Sequence, residues 1–127
     1  MSASKPSGEV ARRFFGAWRY LGSMIDGAPR TDRSHPHGII IYDPSGHMAV
    51  QIMPGRAEAA KAPASQFICY FGRWSIDERA STVTHHREGD LRPDGEIDAV
   101  RAYEFVGDRL ILRPVGKNQE IMWERIK

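Results

Sequence analysis

The sequence predicts an all-β fold, namely an eight-stranded up-and-down antiparallel β-barrel with a short N-terminal helix. Short apolar runs separated by turn residues extend from Gly16 to Ile126, with connections too short for the crossing strands of a sandwich. The first run contains Trp18 and the last contains Trp123. Because unpaired edge strands expose backbone hydrogen-bonding groups, we expect these two runs to pair and close the sheet.

The N-terminal segment predicts a helix that could plug one end of the barrel. The helix is expected over Glu9–Phe15, because Val10 and Phe14 fall on one helical face and a glycine follows. Residues 1–8 are small, polar and Pro-containing, which is typical of a flexible lead-in. The chain of 127 residues is close to the usual size of one domain, so a single barrel domain is predicted over residues 9–127.

The predicted strands are delimited by clusters of turn residues. The sequence Asp-Pro-Ser-Gly at 43–46 is a strong turn signal between two apolar arms and predicts the clearest hairpin. Gly107 and Asp108 predict a tight hairpin later in the chain. In chain order, the predicted strands are Gly16–Met24, Gly38–Tyr42, His47–Met53, Gln66–Ile76, Ser81–Glu88, Ala99–Val106, Arg109–Val115 and Glu120–Ile126.

Alternation of apolar and polar residues assigns an inward face to each strand. In the first strand, the predicted inward residues are Trp18, Tyr20, Gly22 and Met24, and the outward ones include Arg19 and Ser23. Between strands, residues 25–36 are rich in turn residues and long enough for a lid over the barrel mouth. Residues 54–65 predict either a short helix or a mobile connection, because their alanines favour a helix and their prolines limit it.

Charge and hydropathy exclude two kinds of partner. Eighteen Lys and Arg against sixteen Asp and Glu give a net charge of +2, and the basic residues are scattered, so nucleic acid is not an expected partner. No apolar run approaches the roughly 18 residues of a membrane span, and the N-terminus does not resemble a secretory signal. We therefore expect a cytoplasmic protein with no membrane partner.

Cysteine and histidine usage argues against a metal site. The single cysteine, Cys69, excludes an intrachain disulfide and a multi-thiolate site, which favours a reducing compartment. The histidines His35, His37 and His47 lack the spacing of a metal site, so no metal is expected. The sequence also lacks a phosphate-binding glycine loop, and no cofactor is expected.

Six segments of the chain form an ordered set of motifs between Gly16 and Ile126. They are Gly16-Ala17-Trp18-Arg19, Tyr42-Asp43-Pro44-Ser45-Gly46-His47-Met48, Tyr70-Phe71-Gly72, Val83-Thr84-His85-His86, Gly107-Asp108-Arg109-Leu110 and Trp123-Glu124-Arg125. Together these motifs resemble the bacterial and fungal lipocalin-like domain family over nearly the whole chain. The resemblance implies a calycin-type barrel with a ligand cavity, whereas the family has no single established activity.

Trp18 and Arg125 are predicted to form a structural contact where the barrel closes. An arginine of the last strand can stack on the face of a tryptophan and donate to backbone carbonyls. Such a contact contributes about 1–2 kcal/mol when it is desolvated, which is enough to help define closure. We therefore interpret the pair as structural rather than ligand-binding.

His85, in the pair His85-His86, is the first candidate catalytic residue. Adjacent strand residues point to opposite faces, so at most one of the two imidazoles enters the barrel. His85 is predicted to face inwards, because Thr84, His86 and Glu88 form the more uniformly polar face. Its role is either that of a hydrogen-bonded structural histidine or that of a general acid or base, since imidazole titrates near neutral pH.

Arg101 is the second candidate catalytic residue. It shares a predicted face with Tyr103 and Phe105, whose aromatic rings should face inwards. A cation inside an apolar cavity requires a partner, so Arg101 would meet a carboxylate, a ligand oxygen or the barrel rim. With His85 as the base and Arg101 stabilising an oxyanion, the pair would suit proton abstraction beside a carbonyl group.

Two functions of different classes follow from these residues. The first is binding of a small apolar or aromatic molecule in the interior cavity. The alternative is a cofactor-independent isomerase, cyclase or dehydratase that acts on a carbonyl-bearing, natural-product-type substrate. Apart from these two functions, the barrel could be filled by its own side chains and serve as a structural interaction module. The oligomeric state is open, and a homodimer is allowed. The predicted ligand-binding residues are Tyr20, Tyr42, Met48, Val50, Tyr70, Trp74, Tyr103, Phe105, Leu112 and Trp123.

Overall fold

The computed structural model describes residues 5–31, 36–92 and 95–127. Its elements are helix α1 (Glu9–Phe14), strands β1 (Gly16–Ile25), β2 (Ala28–Pro29), β3 (His37–Tyr42) and β4 (His47–Met53), helix α2 (Arg56–Ala59), a 3-10 helix (Ala64–Gln66), and strands β5 (Ile68–Asp77), β6 (Thr82–Asp90), β7 (Asp98–Val106), β8 (Arg109–Pro114) and β9 (Gln119–Arg125). None of the helices in these ranges is long and apolar enough to cross a membrane.

The strands form an antiparallel sheet that closes on itself. Neighbouring strands follow the order β2-β1-β3-β4-β5-β6-β7-β8-β9, and β1 pairs in addition with β9. Strand β2 has two residues and pairs with the end of β1, so it forms a small hairpin arm on the barrel. The other eight strands complete a barrel in simple up-and-down order. The predicted all-β barrel with an N-terminal helix is therefore confirmed.

The barrel closes where Trp18 on β1 lies opposite Arg125 on β9. The guanidinium carbon of Arg125 is 4.1 Å from the centroid of the Trp18 ring. Its Nη1 donates to the carbonyl of Phe15 at 2.8 Å, and its Nη2 donates to the carbonyl of Arg13. The indole Nε1 of Trp18 donates to the carbonyl of Phe14 at 2.9 Å. The predicted stacking contact is present, and it also ties the end of α1 to both strands.

A β-bulge in β1 changes the inward face that alternation predicts. The pairing with β9 shifts between Tyr20 and Gly22, which leaves Leu21 as an extra residue. Beyond the bulge, Ser23 is buried and its hydroxyl lies 2.6 Å from the hydroxyl of Tyr20. Ser23 thus takes the inward position that was predicted for Met24. The prediction that Ser23 faces outwards is wrong, because one extra residue reverses the alternation of a strand.

Helix α1 plugs one end of the barrel. Its last residue, Phe14, is fully buried, and its ring is surrounded by four aromatic side chains. The distances between ring centroids are 5.1 Å to Tyr42, 5.7 Å to Trp74, 5.2 Å to Tyr103 and 4.9 Å to Phe105. Aromatic pairs at such distances contribute about 0.5–1.5 kcal/mol each beyond the burial of their area. We call Phe14 and these four rings the plugged end.

The connections and the N-terminal lead-in are described in part. Within residues 25–36, the chain forms the β2 arm, while residues 32–35, which belong to the predicted lid, lie outside the described residues. Within residues 54–65, helix α2 confirms the short-helix alternative. Residues 1–4 of the predicted lead-in are likewise outside the described part, and Pro6 lies beside Gly46 in the turn between β3 and β4.

A second bulge, in the pairing of β5 with β6, shapes the end of the barrel away from α1. The register shifts between Phe71 and Gly72. A Cβ atom on Gly72 would lie 1.9 Å from the carbonyl oxygen of His86, so only glycine permits this approach of the two strands. Beyond the shift, Tyr70 pairs with Asp90. The bulge therefore brings a tyrosine and a carboxylate side by side at this end.

Candidate ligand-binding site

The end of the barrel away from α1, which we call the open end, contains a cavity of about 510 Å³. Small-molecule sites usually enclose about 300–1,000 Å³. Most of the apolar lining is buried, and two rings add aromatic surface to it. The apolar and aromatic lining residues are Ile40, Val50, Ile52, Ile68, Leu112, Pro114 and Ile121, together with Tyr70 and Trp123.

His85 lies at the polar wall of this cavity, held between two tyrosines. The side chain is buried, with 2% of the residue exposed. Its Nε2 lies 2.6 Å from the hydroxyl oxygen of Tyr42, and its Nδ1 lies 2.7 Å from the hydroxyl oxygen of Tyr70. The prediction that His85 faces the interior is confirmed by this burial. Its catalytic role stays a prediction.

The surroundings of His85 hold its imidazole in the neutral form. Burial is the largest cause, and the positive charges of Arg101 and Arg87 add to it, so the pKa of His85 is lowered to about 3. A neutral imidazole has one N–H group and one acceptor nitrogen. One tyrosine therefore donates to the ring and the other accepts from it. Burial also raises the pKa of the Tyr42 and Tyr70 hydroxyls, so both stay protonated at neutral pH.

Arg101 lines the same cavity from the neighbouring strand, β7. It lies opposite Val83 on β6, while His85 lies opposite Ala99, so the two candidate residues leave the same face of the sheet. Nη1 of Arg101 donates to the carbonyl of Val100 at 3.2 Å. It forms no ion pair with another described residue. Burial lowers the pKa of Arg101, although a guanidinium stays protonated at neutral pH.

Arg87 and Asp90 form an ion pair in the cavity lining, and sequence reasoning missed both. Nη1 of Arg87 lies 3.3 Å from Oδ2 of Asp90, and the Arg87 guanidinium carbon is 4.3 Å from the centroid of the Tyr70 ring. Arg87 shares the alternation face of His85, which was the available signal. Asp90 reaches the cavity through the bulge, which alternation does not reveal.

The predicted ligand-binding residues divide between the cavity and the packed interior. Those in the cavity lining are Val50, Tyr70, Leu112 and Trp123. Those outside the lining are Tyr20, Tyr42, Met48, Trp74, Tyr103 and Phe105. Four of these six surround Phe14 at the plugged end, where the helix side chain occupies the interior. The cavity is therefore confined to one half of the barrel.

His86 and Cys69 lie outside the cavity lining. Nε2 of His86 is 2.8 Å from Oγ of Ser75, and its Nδ1 is 3.1 Å from Oδ1 of Asp98. Its side chain is 41% exposed, which confirms that the adjacent histidines point to opposite faces.

Within residues 5–31, 36–92 and 95–127, no three His, Cys, Asp or Glu side chains come together as metal ligands, and His35 is outside these ranges.

Comparison with known proteins supports the fold and the family. None of the curated proteins matches the chain significantly. The crystal structure of a DUF4847 family protein from Bacteroides vulgatus ATCC 8482 is similar, with a TM-score of 0.59 and 17% sequence identity over 94% of this chain and 99% of that chain. A likeness at this identity supports the fold alone. The profile of the lipocalin-like domain matches residues 31–126. This match spans more than half of the sequence, and the chain therefore belongs to the lipocalin-like domain family.

Proposed function

We propose that this protein binds a small apolar or aromatic molecule inside the open end of the barrel. The observation that carries the proposal is the cavity of about 510 Å³, whose buried wall combines aliphatic side chains with the rings of Tyr70 and Trp123. Small organic ligands usually occupy sites of this kind, in which a few polar groups fix their orientation. The polar groups available for orientation are the hydroxyl of Tyr70 and the guanidinium of Arg101, since both ring nitrogens of His85 are already hydrogen-bonded.

Packing supports the same proposal. At the plugged end, Phe14 fills the space between the strands, whereas at the open end Val50 and Leu112 border unfilled volume. Filling that volume with larger apolar side chains would add buried area and stabilise the fold. A barrel that served only as a solid interaction module would not need the cavity. The retained volume therefore favours ligand binding.

A titration with N-phenyl-1-naphthylamine, a neutral dye that fluoresces in apolar surroundings, tests the proposal. We expect saturable binding to the wild type. Val50→Phe and Ile52→Phe reduce the cavity and should weaken binding at least about tenfold, because the added ring occupies the ligand's volume. Gln51→Phe is the matched control, since Gln51 lies on the same strand with its side chain exposed, and its affinity should stay within about twofold of the wild type.

Thermal unfolding of each variant establishes that the filled barrels are folded before binding is compared. Two results would contradict the proposal. One is the absence of saturable dye binding to the wild type. The other is undiminished binding to both filled variants, which would place the dye outside the barrel.

The second candidate function is a cofactor-independent isomerase, cyclase or dehydratase acting on a carbonyl compound. The observation that favours it is that His85 and Arg101 line one cavity. His85 is poorly suited to be the base, because both ring nitrogens are hydrogen-bonded and its pKa is about 3. Arg101 and the Tyr70 hydroxyl would instead stabilise the enolate oxygen, with water taking up the proton from the carbon beside the carbonyl. Binding is the function that needs fewer assumptions.

Exchange of protons beside a carbonyl group tests the enzymatic alternative without knowledge of the substrate. In D2O, 2-tetralone would be incubated with the protein, and deuterium incorporation would be followed by NMR. The alternative predicts exchange above the buffer rate in the wild type and a loss of that excess in Arg101→Gln. Exchange at the buffer rate would count against enolisation of this ketone.

A further inference from the structure

The geometry points to an organic acid as the ligand, with an apolar body in the cavity and an oxyanion received by Arg101 and the hydroxyl of Tyr70. The inference rests on the proposed binding function and specifies the class of ligand. Three features of the open end support it: the balance of charge, the unpaired hydrogen-bond donors, and the direction of the hydrogen bonds through His85.

The balance of charge at the open end is positive. Arg30 and four further basic side chains line the cavity. Among the described residues, the lining contains one carboxylate, that of Asp90. These basic side chains belong to Arg87, Arg92, Arg101 and Lys117. Asp90 already pairs with Arg87 at 3.3 Å. Glu96 and Asp98 lie in an adjoining pocket that shares Arg101 and Lys117, so the excess of positive charge belongs to the cavity lining itself. A concave site with this charge attracts anions.

Arg87 and Arg101 both lie close to Tyr70 and His85, but Arg87 is paired with Asp90 whereas Arg101 has no ion-pair partner among the described residues. Its Nη1 donates to the carbonyl of Val100, and the described residues leave further N–H groups of this guanidinium without an acceptor. The carboxylate of Glu96 lies close enough to raise the pKa of Arg101 slightly against the lowering by burial, although the described residues show no ion pair between the two. A carboxylate or sulfonate can accept two hydrogen bonds from one guanidinium. The ligand would thereby supply the partner that the barrel does not.

The hydrogen bonds through His85 have a preferred direction. Tyr42 is 0% exposed, and His85 is the hydrogen-bond partner that the described residues offer its hydroxyl. If Tyr42 accepted from the imidazole, its own O–H would be buried without an acceptor, which costs free energy. Tyr42 therefore donates to Nε2, and the N–H on Nδ1 donates to Tyr70. This order leaves the O–H of Tyr70 free to donate into the cavity.

Two further buried donors near the cavity lack an acceptor. Nε of Arg87 and the indole Nε1 of Trp123 are buried without a hydrogen-bond partner among the described residues, and both side chains belong to the lining. Because both atoms are enclosed by protein, they are out of reach of a ligand in the cavity. The contacts to an oxyanion are therefore left to Arg101 and the hydroxyl of Tyr70.

A matched pair of dyes tests the inference. The anionic dye 8-anilino-1-naphthalenesulfonate has the skeleton of N-phenyl-1-naphthylamine plus one sulfonate group. We expect the wild type to bind the sulfonate at least about tenfold more tightly than the neutral dye, because a charge-assisted hydrogen bond is worth about one to two decades of affinity. Raising NaCl from about 50 to about 500 mM should lower the affinity for the sulfonate and leave the affinity for the neutral dye unchanged.

Variants of the two proposed anion contacts separate the contributions. Arg101→Gln should lower the affinity for the sulfonate about tenfold or more, and Tyr70→Phe about fivefold, and in both variants this loss should exceed the loss of affinity for the neutral dye. Arg79→Gln is the matched control, since Arg79 is exposed in the turn between β5 and β6 and its loss changes the net charge equally. If Arg101→Gln does not fold, Arg101→Lys should still lower the affinity for the sulfonate. Lysine lacks the planar guanidinium that donates two parallel hydrogen bonds to one anion.

The outcomes distinguish this inference from the proposed function. Equal affinity for both dyes, with no effect of Arg101→Gln or of salt, would overturn the inference and leave binding of an apolar molecule in place. Binding of neither dye would overturn both. Sulfonate binding that persists undiminished in Val50→Phe and Ile52→Phe would place the anion outside the cavity and would also overturn the inference.

Discussion

The two ends of the barrel are built from the same strands and differ in their inward side chains. Along β7, Phe105 packs against Phe14 at the plugged end, whereas Arg101 lines the cavity at the open end. Along β5, Trp74 belongs to the plugged end and Tyr70 to the open end. Each strand therefore changes from aromatic packing to a polar lining within four residues.

This difference indicates that the plugged end supplies stability, whereas the proposed ligand site lies at the open end. The rings around Phe14 gain free energy from burial and from ring–ring contacts. Arg101 gives up hydration without an ion-pair partner among the described residues, which costs free energy. A position that served only the stability of the sheet would favour an apolar side chain. The unpaired charge of Arg101 therefore supports the proposed binding of a ligand at the open end.

Removing the plug should cause the largest loss of stability. Phe14→Ala deletes a fully buried ring with four aromatic neighbours, so the free energy of unfolding should fall by about 3–5 kcal/mol. At the open end, Leu112→Ala should cost only about 2 kcal/mol, because part of its surroundings is already cavity. Chemical denaturation measures both losses. Equal losses would contradict the difference between the two ends.

Opening the closure contact should have the next largest effect. Arg125→Ala removes the stacking on Trp18 and two hydrogen bonds to carbonyls, and we expect the free energy of unfolding to fall by about 2 kcal/mol. Arg125→Lys should recover less than half of that loss, since an ammonium cannot stack and reach both carbonyls. Full recovery with lysine, measured in the same denaturation assay, would show that charge alone matters.

The buried imidazole at the open end should make stability depend on pH. His85 has a pKa of about 3 in the folded protein and an ordinary value of 6.5 when unfolded. As the pH falls from 6.5 towards 3, the unfolded chain takes up a proton that the folded protein does not, so stability decreases. The slope contributed by this group is about 1.4 kcal/mol per pH unit.

His85→Gln provides the comparison for this pH dependence. Glutamine keeps hydrogen-bonding groups between Tyr42 and Tyr70 but does not titrate. Its unfolding free energy, measured between pH 6 and pH 4, should therefore have a shallower slope than that of the wild type by about 1.4 kcal/mol per pH unit. Identical slopes would mean that His85 binds its proton equally in the folded and unfolded states.

The neighbouring histidine should show the smallest effect. His86 is half-exposed and pairs with Asp98 on the outer face, so His86→Ala should change the free energy of unfolding by less than about 1 kcal/mol. It should leave the affinity for both naphthalene dyes unchanged. A loss as large as that of Phe14→Ala, or a change in dye binding, would show that the outer face is coupled to the interior.

Sequence reasoning succeeded where the evidence was local or required only the first and last strands. The Asp-Pro-Ser-Gly turn at 43–46 predicted the β3–β4 hairpin, which the pairing of Tyr42 with Met48 confirms. Alternation placed His85 inside and His86 outside. The need to pair edge strands predicted the contact of Trp18 with Arg125. Each conclusion depends on a short pattern or on closure of the sheet.

Sequence reasoning failed to predict where along the barrel axis an inward-facing side chain lies. Tyr42 and Trp74 were correctly placed inside, yet they pack against Phe14 and not in the cavity lining. Alternation reports the face of a sheet on which a residue lies but not how strands are staggered against each other. Bulges add to the difficulty, because one extra residue moved Ser23 inwards and another brought Asp90 to the cavity.

The sequence by itself determined a closed barrel, the pairing of its first and last strands, and an interior that contains His85 and Arg101. Only the tertiary structure decided that a tyrosine holds each nitrogen of His85, since Tyr42 and Tyr70 are 43 and 15 residues away along the chain. The register of strand pairing and the bulges bring these side chains to the same level along the barrel axis. The physical reason is that register depends on pairing between distant segments, which no local pattern of residues encodes.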